Sequence, residues 1–181
     1  MIVRHASFGS ALLCAVASTA CHQAARTSGD VSAGVAVMRA GSGASHGALS
    51  LERSGDGVRV RGTLTGLPSG THGIHFHQTG RCDAPDFTTA GPHFNPTGAL
   101  HGLQNPLGPH AGDLPNIVAN AAGQAVVDLV TTRVTPDAGS PRGFFDGDGT
   151  ALVVHAHADD QRSDPAGNSG ARIACGVIER S

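Results

Sequence analysis

The stretch "GVRVRGTLTGL", Gly57 to Leu67, alternates strictly. Val58, Val60, Gly62 and Leu64 share one face, and Arg59, Arg61, Thr63 and Thr65 share the other. Successive side chains of an extended strand point to opposite faces, so this period of two predicts one dry side and one wet side. Working outward, "ALSLERS" and "AVVDLVTTRV" alternate less cleanly. "VSAGVAVMR", "GIHFHQ", "NIVANA", "TALVVHA" and "RIACGVIE" add short runs of the same kind, about eight in all. Turn signals separate them: "GSGAS", "SGDG", "LPSG", "AAGQ" and "DGDG". No segment after residue 30 carries a helical stripe. Short antiparallel strands of this kind predict an all-β sandwich or barrel.

Composition narrows the function. The chain has 181 residues, enough for one domain with a real core. There are six Phe and no Trp or Tyr, so Val, Leu, Ile and Ala must build that core. A net charge of −2 provides no basic field for nucleic acid, and the scarce aromatics give no stacking platforms. All twelve basic residues are Arg. Without Lys there is no Schiff-base chemistry and no P-loop. Histidine is enriched instead, at eleven, which makes metal chemistry the first thing to test.

The first 29 residues read as an export leader with a short linker, and 30–181 as the domain. Arg4 is followed by an apolar run from Ala11 to Ala17 that is too short to span a bilayer. "STAC" resembles a bacterial lipobox, although Ser18 stands where Leu is usual. Cys21 is therefore a candidate for lipidation and membrane anchoring. Cleavage around Ala20 or Ala25 is the alternative. Either route leads to the cell envelope or periplasm. Cys14 and Cys21 lie in the leader, which leaves Cys82 and Cys175 in the domain. In an oxidising compartment they have one possible pairing, closing a loop of roughly 90 residues worth ~4–5 kcal/mol on the chain-entropy account. Two buried free thiols are the other reading.

Two segments break the strand pattern: Thr79 to Pro115, rich in Gly, Pro and His, and Ala158 to Gly170. Long loops in a compact domain are usually functional or disordered. In a strand, His75 and His77 point to one face with Phe76 opposite. His155 ends another strand and offers a third imidazole. His93, His101, His110 and Asp113 come from the first loop. Three imidazoles with a carboxylate suit tetrahedral structural zinc, and an all-imidazole site suits copper. His5, His22 and His46 read as ordinary surface histidines, and His72 and His157 as neighbours of the cluster rather than ligands.

Taken together, "GTHGIHFHQTGRC", "AGPHFNPTGALHG", "HAGDLPN", "LVVHAHADD" and "GNSGARIACGVIER" resemble copper/zinc superoxide dismutase. The match runs in order from about residue 31 to the C-terminus. The resemblance implies an eight-stranded antiparallel Greek-key barrel, a relative of the immunoglobulin-like sandwich, with two long functional loops folded over a site on its outside. It implies copper on His75, His77, His93 and His155. It implies zinc on His93, His101, His110 and Asp113, with His93 bridging the two. Asp159 would hydrogen-bond ligands of both metals, and Arg172 would stand beside the copper. Cys82 and Cys175 would form the disulfide. The substrate implied is superoxide, converted to dioxygen and hydrogen peroxide as copper is alternately reduced and reoxidised, with Arg172 and His93 as the catalytic residues. Family members pair in more than one way, so a homodimer is compatible with the resemblance.

Some features depart from the animal pattern. The segment between Asp160 and Arg172 has only eleven residues. Arg162 is its one basic residue, and Asp159, Asp160 and Asp164 surround it. The insertion "DAPDFTT" follows Cys82. The acidic turn at Asp146 to Gly149 reads as solvated rather than as a calcium site. With no Lys to steer an anion, raising ionic strength should slow superoxide consumption only modestly. Stopped-flow decay measured across a salt series checks this, and a steep fall would contradict it.

Overall fold

Val58, Val60 and Leu64 are fully buried while Arg61 and Thr63 are exposed, as the alternation requires. The computed structural model describes residues 1, 2 and 32–181. Residues 3–31, which include most of the leader, Cys14, Cys21, His5 and His22, lie outside the described residues. Nine strands follow in order. They are β1 (Ser32–Arg39), β2 (Ser45–Ser54), β3 (Gly57–Leu64), β4 (Gly70–His72), β5 (Ile74–His77), β6 (Ile117–Ala119), β7 (Ala125–Thr131), β8 (Ala151–His155) and β9 (Arg172–Arg180). The only helical element among the described residues is a 3-10 turn at Thr88–Ala90. All eight strand-like runs form strands. The extra strand, which the sequence pattern did not mark, arises because the chain breaks at Gly73 into β4 and β5.

The ladders are antiparallel. Seven strands order as β5-β8-β9-β1-β2-β3-β7, and β4 pairs with β6. The hairpin Asn120–Gln124 brings β6 to β7, closed by the Asn120 N–H donating to the Gln124 carbonyl at 2.9 Å. Because β4 runs into β5, the curled sheet returns to its start.

The core is aliphatic with little aromatic content. Met38, Leu49, Leu51, Leu64, Ile74, Leu114 and Leu152 are wholly buried. Phe76 stacks on Phe144 at 6.0 Å between ring centroids. A second, smaller cluster lies on the outer face of β8 and β9, where Phe87 and Ala90 cover Ala151, Val153 and Cys175. This explains why every residue of β8 is buried. Its inner face fills the barrel, and its outer face lies under the segment tied down by the Cys82–Cys175 disulfide.

The free edge of β5 is where the first long loop attaches. The Phe76 N–H donates to the Gly112 carbonyl and the Phe94 N–H to the Phe76 carbonyl, both at 2.9 Å. These bonds satisfy an edge that would otherwise present bare polar groups. They also set register: His75 faces Asp113, and His77 faces His93. Gly112 is required there, since a Cβ on it would fall 2.4 Å from the Phe76 oxygen.

Phe76 therefore anchors the strand from inside while its backbone holds the loop outside. Replacing it, Phe76→Ala, should destabilise the metal-free protein by about 3–5 kcal/mol, with Phe76→Leu costing less. Urea unfolding measures both; a loss below about 1 kcal/mol for the alanine variant would contradict this placement.

Candidate metal centre

His75 and His77 alternate with Ile74 and Phe76 along β5, so the two apolar side chains enter the core and the two imidazoles face outward. The loops cover them so completely that His75, His77, His93, His101, His110, Asp113, His155 and Asp159 are all buried. Besides the trio His75, His101 and Asp159, two four-residue sets of ligand atoms converge. Donors of His75, His77, His93 and His155 lie within 4.8 Å of one another, as do those of His93, His101, His110 and Asp113. His93 belongs to both.

The acceptors around the rings fix which nitrogen each one turns inward. Carbonyl and carboxylate oxygens only accept, so the ring nitrogen facing one carries the proton. His75 Nε2–H donates to Asp159 Oδ2 at 2.8 Å. His77 Nδ1–H donates to the Gly91 carbonyl at 2.9 Å, and His155 Nδ1–H to the Gly170 carbonyl at 3.1 Å. The remaining nitrogens of the neutral rings are bare and meet one another: His77 Nε2 stands 3.4 Å from His155 Nε2. His75 Nδ1 and His93 Nε2 are buried with no hydrogen-bond partner. Buried nitrogens without a partner are uncommon, and bare imidazole nitrogens turned toward a shared point are a ligand set.

The second half is organised on one carboxylate. Asp113 Oδ1 lies 2.9 Å from His93 Nδ1, 3.0 Å from His101 Nδ1 and 3.3 Å from His110 Nδ1. The last contact has a poor angle and leaves His110 Nδ1 without a hydrogen bond. Asp113 Oδ2 accepts from the backbone N–H groups of Gly102 and His110. Three Nδ1 atoms around an oxygen form a 3-His, 1-carboxylate set suited to a tetrahedral cation.

Asp159 joins the halves. Its Oδ2 holds His75, and its Oδ1 accepts from His101 Nε2–H at 2.9 Å and from the Gln161 N–H at 2.6 Å. Asn116 grips its backbone from both sides, donating to the Asp159 carbonyl at 2.8 Å and accepting its N–H at 2.9 Å. The carboxylate occupies space that only glycine leaves open. Gly167 has φ +61°, and a Cβ there would lie 1.7 Å from Asp159 Oδ1. Sequence reasoning missed both Asn116 and Gly167. Asn116 sits in the quoted "HAGDLPN", but one sequence carries no signal of which backbone it grips.

Arg172 lies at the start of β9, half-buried. Its Nη1 donates to the Phe87 carbonyl at 2.6 Å and its Nη2 to the Gly91 carbonyl at 2.7 Å. Its guanidinium adds to the fields that disfavour protonation of His77 and His155.

The remaining histidines fall outside the donor sets. His72 is buried between the carbonyls of His155 and Pro68, at 2.8 and 2.7 Å. His157 is exposed. His46, read from sequence as a surface residue, is buried, with Nδ1 donating to the Thr65 carbonyl at 2.6 Å. Its position follows from the β2–β3 hairpin, which no spacing of histidines reveals. Asp146 and Asp148 are exposed in their turn.

Charge is unevenly divided. Burial pushes His75 down to about 3 and His155 to about 4, and it lowers His77 and His93 as well. For His101 burial works the same way but is outweighed by the bonds to Asp113 and Asp159, which raise it to about 9. Asp113 and Asp159 are held below the usual carboxylate range by those bonds despite their burial. One half is therefore four neutral imidazoles, and the other a cation between two anions whose proton a metal would displace.

The chain resembles known proteins in sequence and in fold. The profile of the copper/zinc superoxide dismutase family matches residues 45–178. A copper–zinc superoxide dismutase of Aquifex aeolicus is 45% identical over 134 residues, covering 74% of this chain and 79% of that one. One from Caulobacter vibrioides is 42% identical over 146 residues, covering 80% and 84%. Among solved structures, a double mutant of a superoxide-dismutase-like protein from Bacillus subtilis superposes with a TM-score of 0.77. It is 39% identical and covers 81% of this chain and 98% of its own.

The charge pattern sets the acid–base behaviour of the metal-free protein. Unfolded histidines titrate near about pH 6.5. The stability that comes from keeping His75 and His155 neutral is present above that pH. It is lost as pH falls toward 3–4, because the unfolded chain binds more protons. His101 acts oppositely: its contribution is complete below about pH 6.5 and is lost as pH rises through about 9. The midpoint of thermal unfolding should peak near about pH 6.5 and decline on both sides. Calorimetry of chelator-treated protein checks this, and a flat profile from pH 4 to 9 would refute it.

Proposed function

The chain belongs to the copper/zinc superoxide dismutase family and is a superoxide-consuming oxidoreductase that uses copper and zinc, and we propose how its residues divide that work. His75, His77, His93 and His155 hold copper; His93, His101, His110 and Asp113 hold zinc. The observation that carries this division is the chemistry of the two donor sets. One is all imidazole, with bare inward nitrogens, and suits a redox-active copper. The other includes a carboxylate and suits zinc, which needs no change of oxidation state.

Copper held there supplies a one-electron relay between successive superoxide anions, yielding dioxygen and then hydrogen peroxide, while zinc supplies fixed charge. The protein does the rest. Arg172, clamped by two carbonyls, keeps its planar fork and positive charge in one orientation, where it attracts and orients the anion. Of the metal-facing rings, only His93 belongs to both donor sets, so its Nε2 is the atom suited to hold a proton when copper is reduced and release it afterwards. Asp159 holds His75 and His101 in the tautomers that leave their inner nitrogens free.

The domain, residues 30–181, works in the cell envelope or periplasm after export by the leader, anchored there through a lipidated Cys21 or released by cleavage around Ala20 or Ala25. The Cys82–Cys175 bond supports this reading, since structural disulfides persist in oxidising compartments. The role is defence against superoxide reaching that compartment.

Metal-loaded protein should carry copper and zinc in near-equal amounts. Arg172→Ala should lose about tenfold to a hundredfold in superoxide decay rate, the equivalent of a charge-assisted contact of about 1.5–3 kcal/mol. His155→Ala should lose copper and activity together. Pulse radiolysis or stopped-flow decay with metal analysis reads all three, and full activity in the His155 variant would overturn the copper assignment.

A further inference from the structure

Each metal-facing ring except His93 has one outward nitrogen to satisfy, and four of these five have a close match. Asp159 serves His75 and His101, the Gly91 carbonyl serves His77, and the Gly170 carbonyl serves His155. His110 is the exception. The acceptor facing its Nε2 is Asp164 Oδ1 at 3.8 Å, across the junction between the two long loops. That oxygen is already fixed in place, because it accepts the His101 backbone N–H at 2.7 Å. One exposed carboxylate of the second loop thus touches one residue of the zinc set through its backbone and confronts another through its ring. The neighbouring contacts hold the same junction: the Gln104 N–H donates to the Gln161 carbonyl at 2.9 Å, and Arg162 donates to Gln104 Oε1.

We infer that Asp164 is a positioning residue for the zinc half, doing for His110 what Asp159 does for His75 and His101. By accepting Nε2–H it selects the tautomer of His110 whose Nδ1 is bare and turned toward Asp113. Through the His101 N–H it keeps the zinc loop at the depth where that ring reaches the same point. At 3.8 Å the pair is beyond hydrogen-bond length, so the bond is one that the zinc-loaded His110 ring would make by turning toward the held oxygen. This rests on the zinc assignment of His93, His101, His110 and Asp113 proposed above.

The test uses the full chain, stripped of metal and titrated with zinc against a chromophoric chelator, for wild type, Asp164→Ala, Asp164→Asn and His110→Ala. Asp164→Ala should weaken zinc binding about 10- to 100-fold, in the range seen when an outer partner of a metal-bound histidine is removed. Asp164→Asn, whose amide oxygen still accepts from the His101 N–H, should lose less. The discriminating readout is nitrogen-15 NMR of the zinc-loaded protein. The His110 Nε2–H should exchange with water at least about tenfold faster in Asp164→Ala, reflecting loss of a charge-assisted bond, while those of His75 and His101, held by Asp159, stay as in wild type. Wild-type zinc affinity and wild-type His110 exchange in Asp164→Ala would overturn the inference. So would a fall confined to the unfolding temperature of the metal-free protein, which would make the residue merely structural. If His110→Ala itself binds zinc like wild type, the zinc assignment fails and this inference falls with it.

Discussion

The organising constraint is the unpaired edge of β5. A strand edge must give its N–H and C=O groups a partner. Here the partner is a loop without regular structure, held by the two hydrogen bonds of Phe76 to Gly112 and Phe94. That pairing has a register, so it fixes more than the edge. It sets Asp113 opposite His75 and His93 opposite His77. The inward face of the same strand is locked by Ile74 and Phe76 in the aliphatic core. The metal centre thus inherits the rigidity of the barrel although all four of its zinc-type residues come from a loop.

Burying this many polar rings side by side is costly unless each polar atom is answered. The structure answers the outward atoms of His75, His77, His101 and His155 with fixed acceptors and leaves His75 Nδ1, His93 Nε2 and His110 Nδ1 without a partner. Asp159 is central, because one carboxylate serves a ring from each half. Its own position is secured from three directions by Asn116, the Gln161 N–H and the space left by Gly167. Asp113 does similar work with the Nδ1 atoms of His93 and His101 and two backbone N–H groups. The first long loop and the segment 158–170 are therefore bound to each other through side-chain contacts and the Gln104-to-Gln161 backbone bond rather than through a sheet.

Much of this was legible in the sequence. The period of two in Gly57–Leu64 gave the strand and its buried face directly, because side-chain direction in a strand depends only on parity. The same parity put His75 and His77 together and Phe76 inside. The quoted motifs then supplied the candidate partners from distant segments. What stayed hidden depended on contacts made across the fold. The break at Gly73 follows from β4 and β5 pairing with different strands. The burial of His46 follows from a turn that folds back on it. Asn116 and Gly167 act on the backbone and carboxylate of a residue more than forty and eight positions away respectively, so no local pattern marks them.

The Gly91 carbonyl oxygen accepts from both His77 Nδ1–H and Arg172 Nη2–H. One atom thus sets the orientation of a ring proposed for copper and of the guanidinium proposed to attract the anion. The two cannot be tuned independently. On the proposed roles, a change that shifts this peptide alters metal chemistry and anion capture at once, and residues that share a hydrogen-bond partner couple energetically rather than adding. Evolution of a faster or more selective variant on this scaffold must therefore move both properties as a single inherited character.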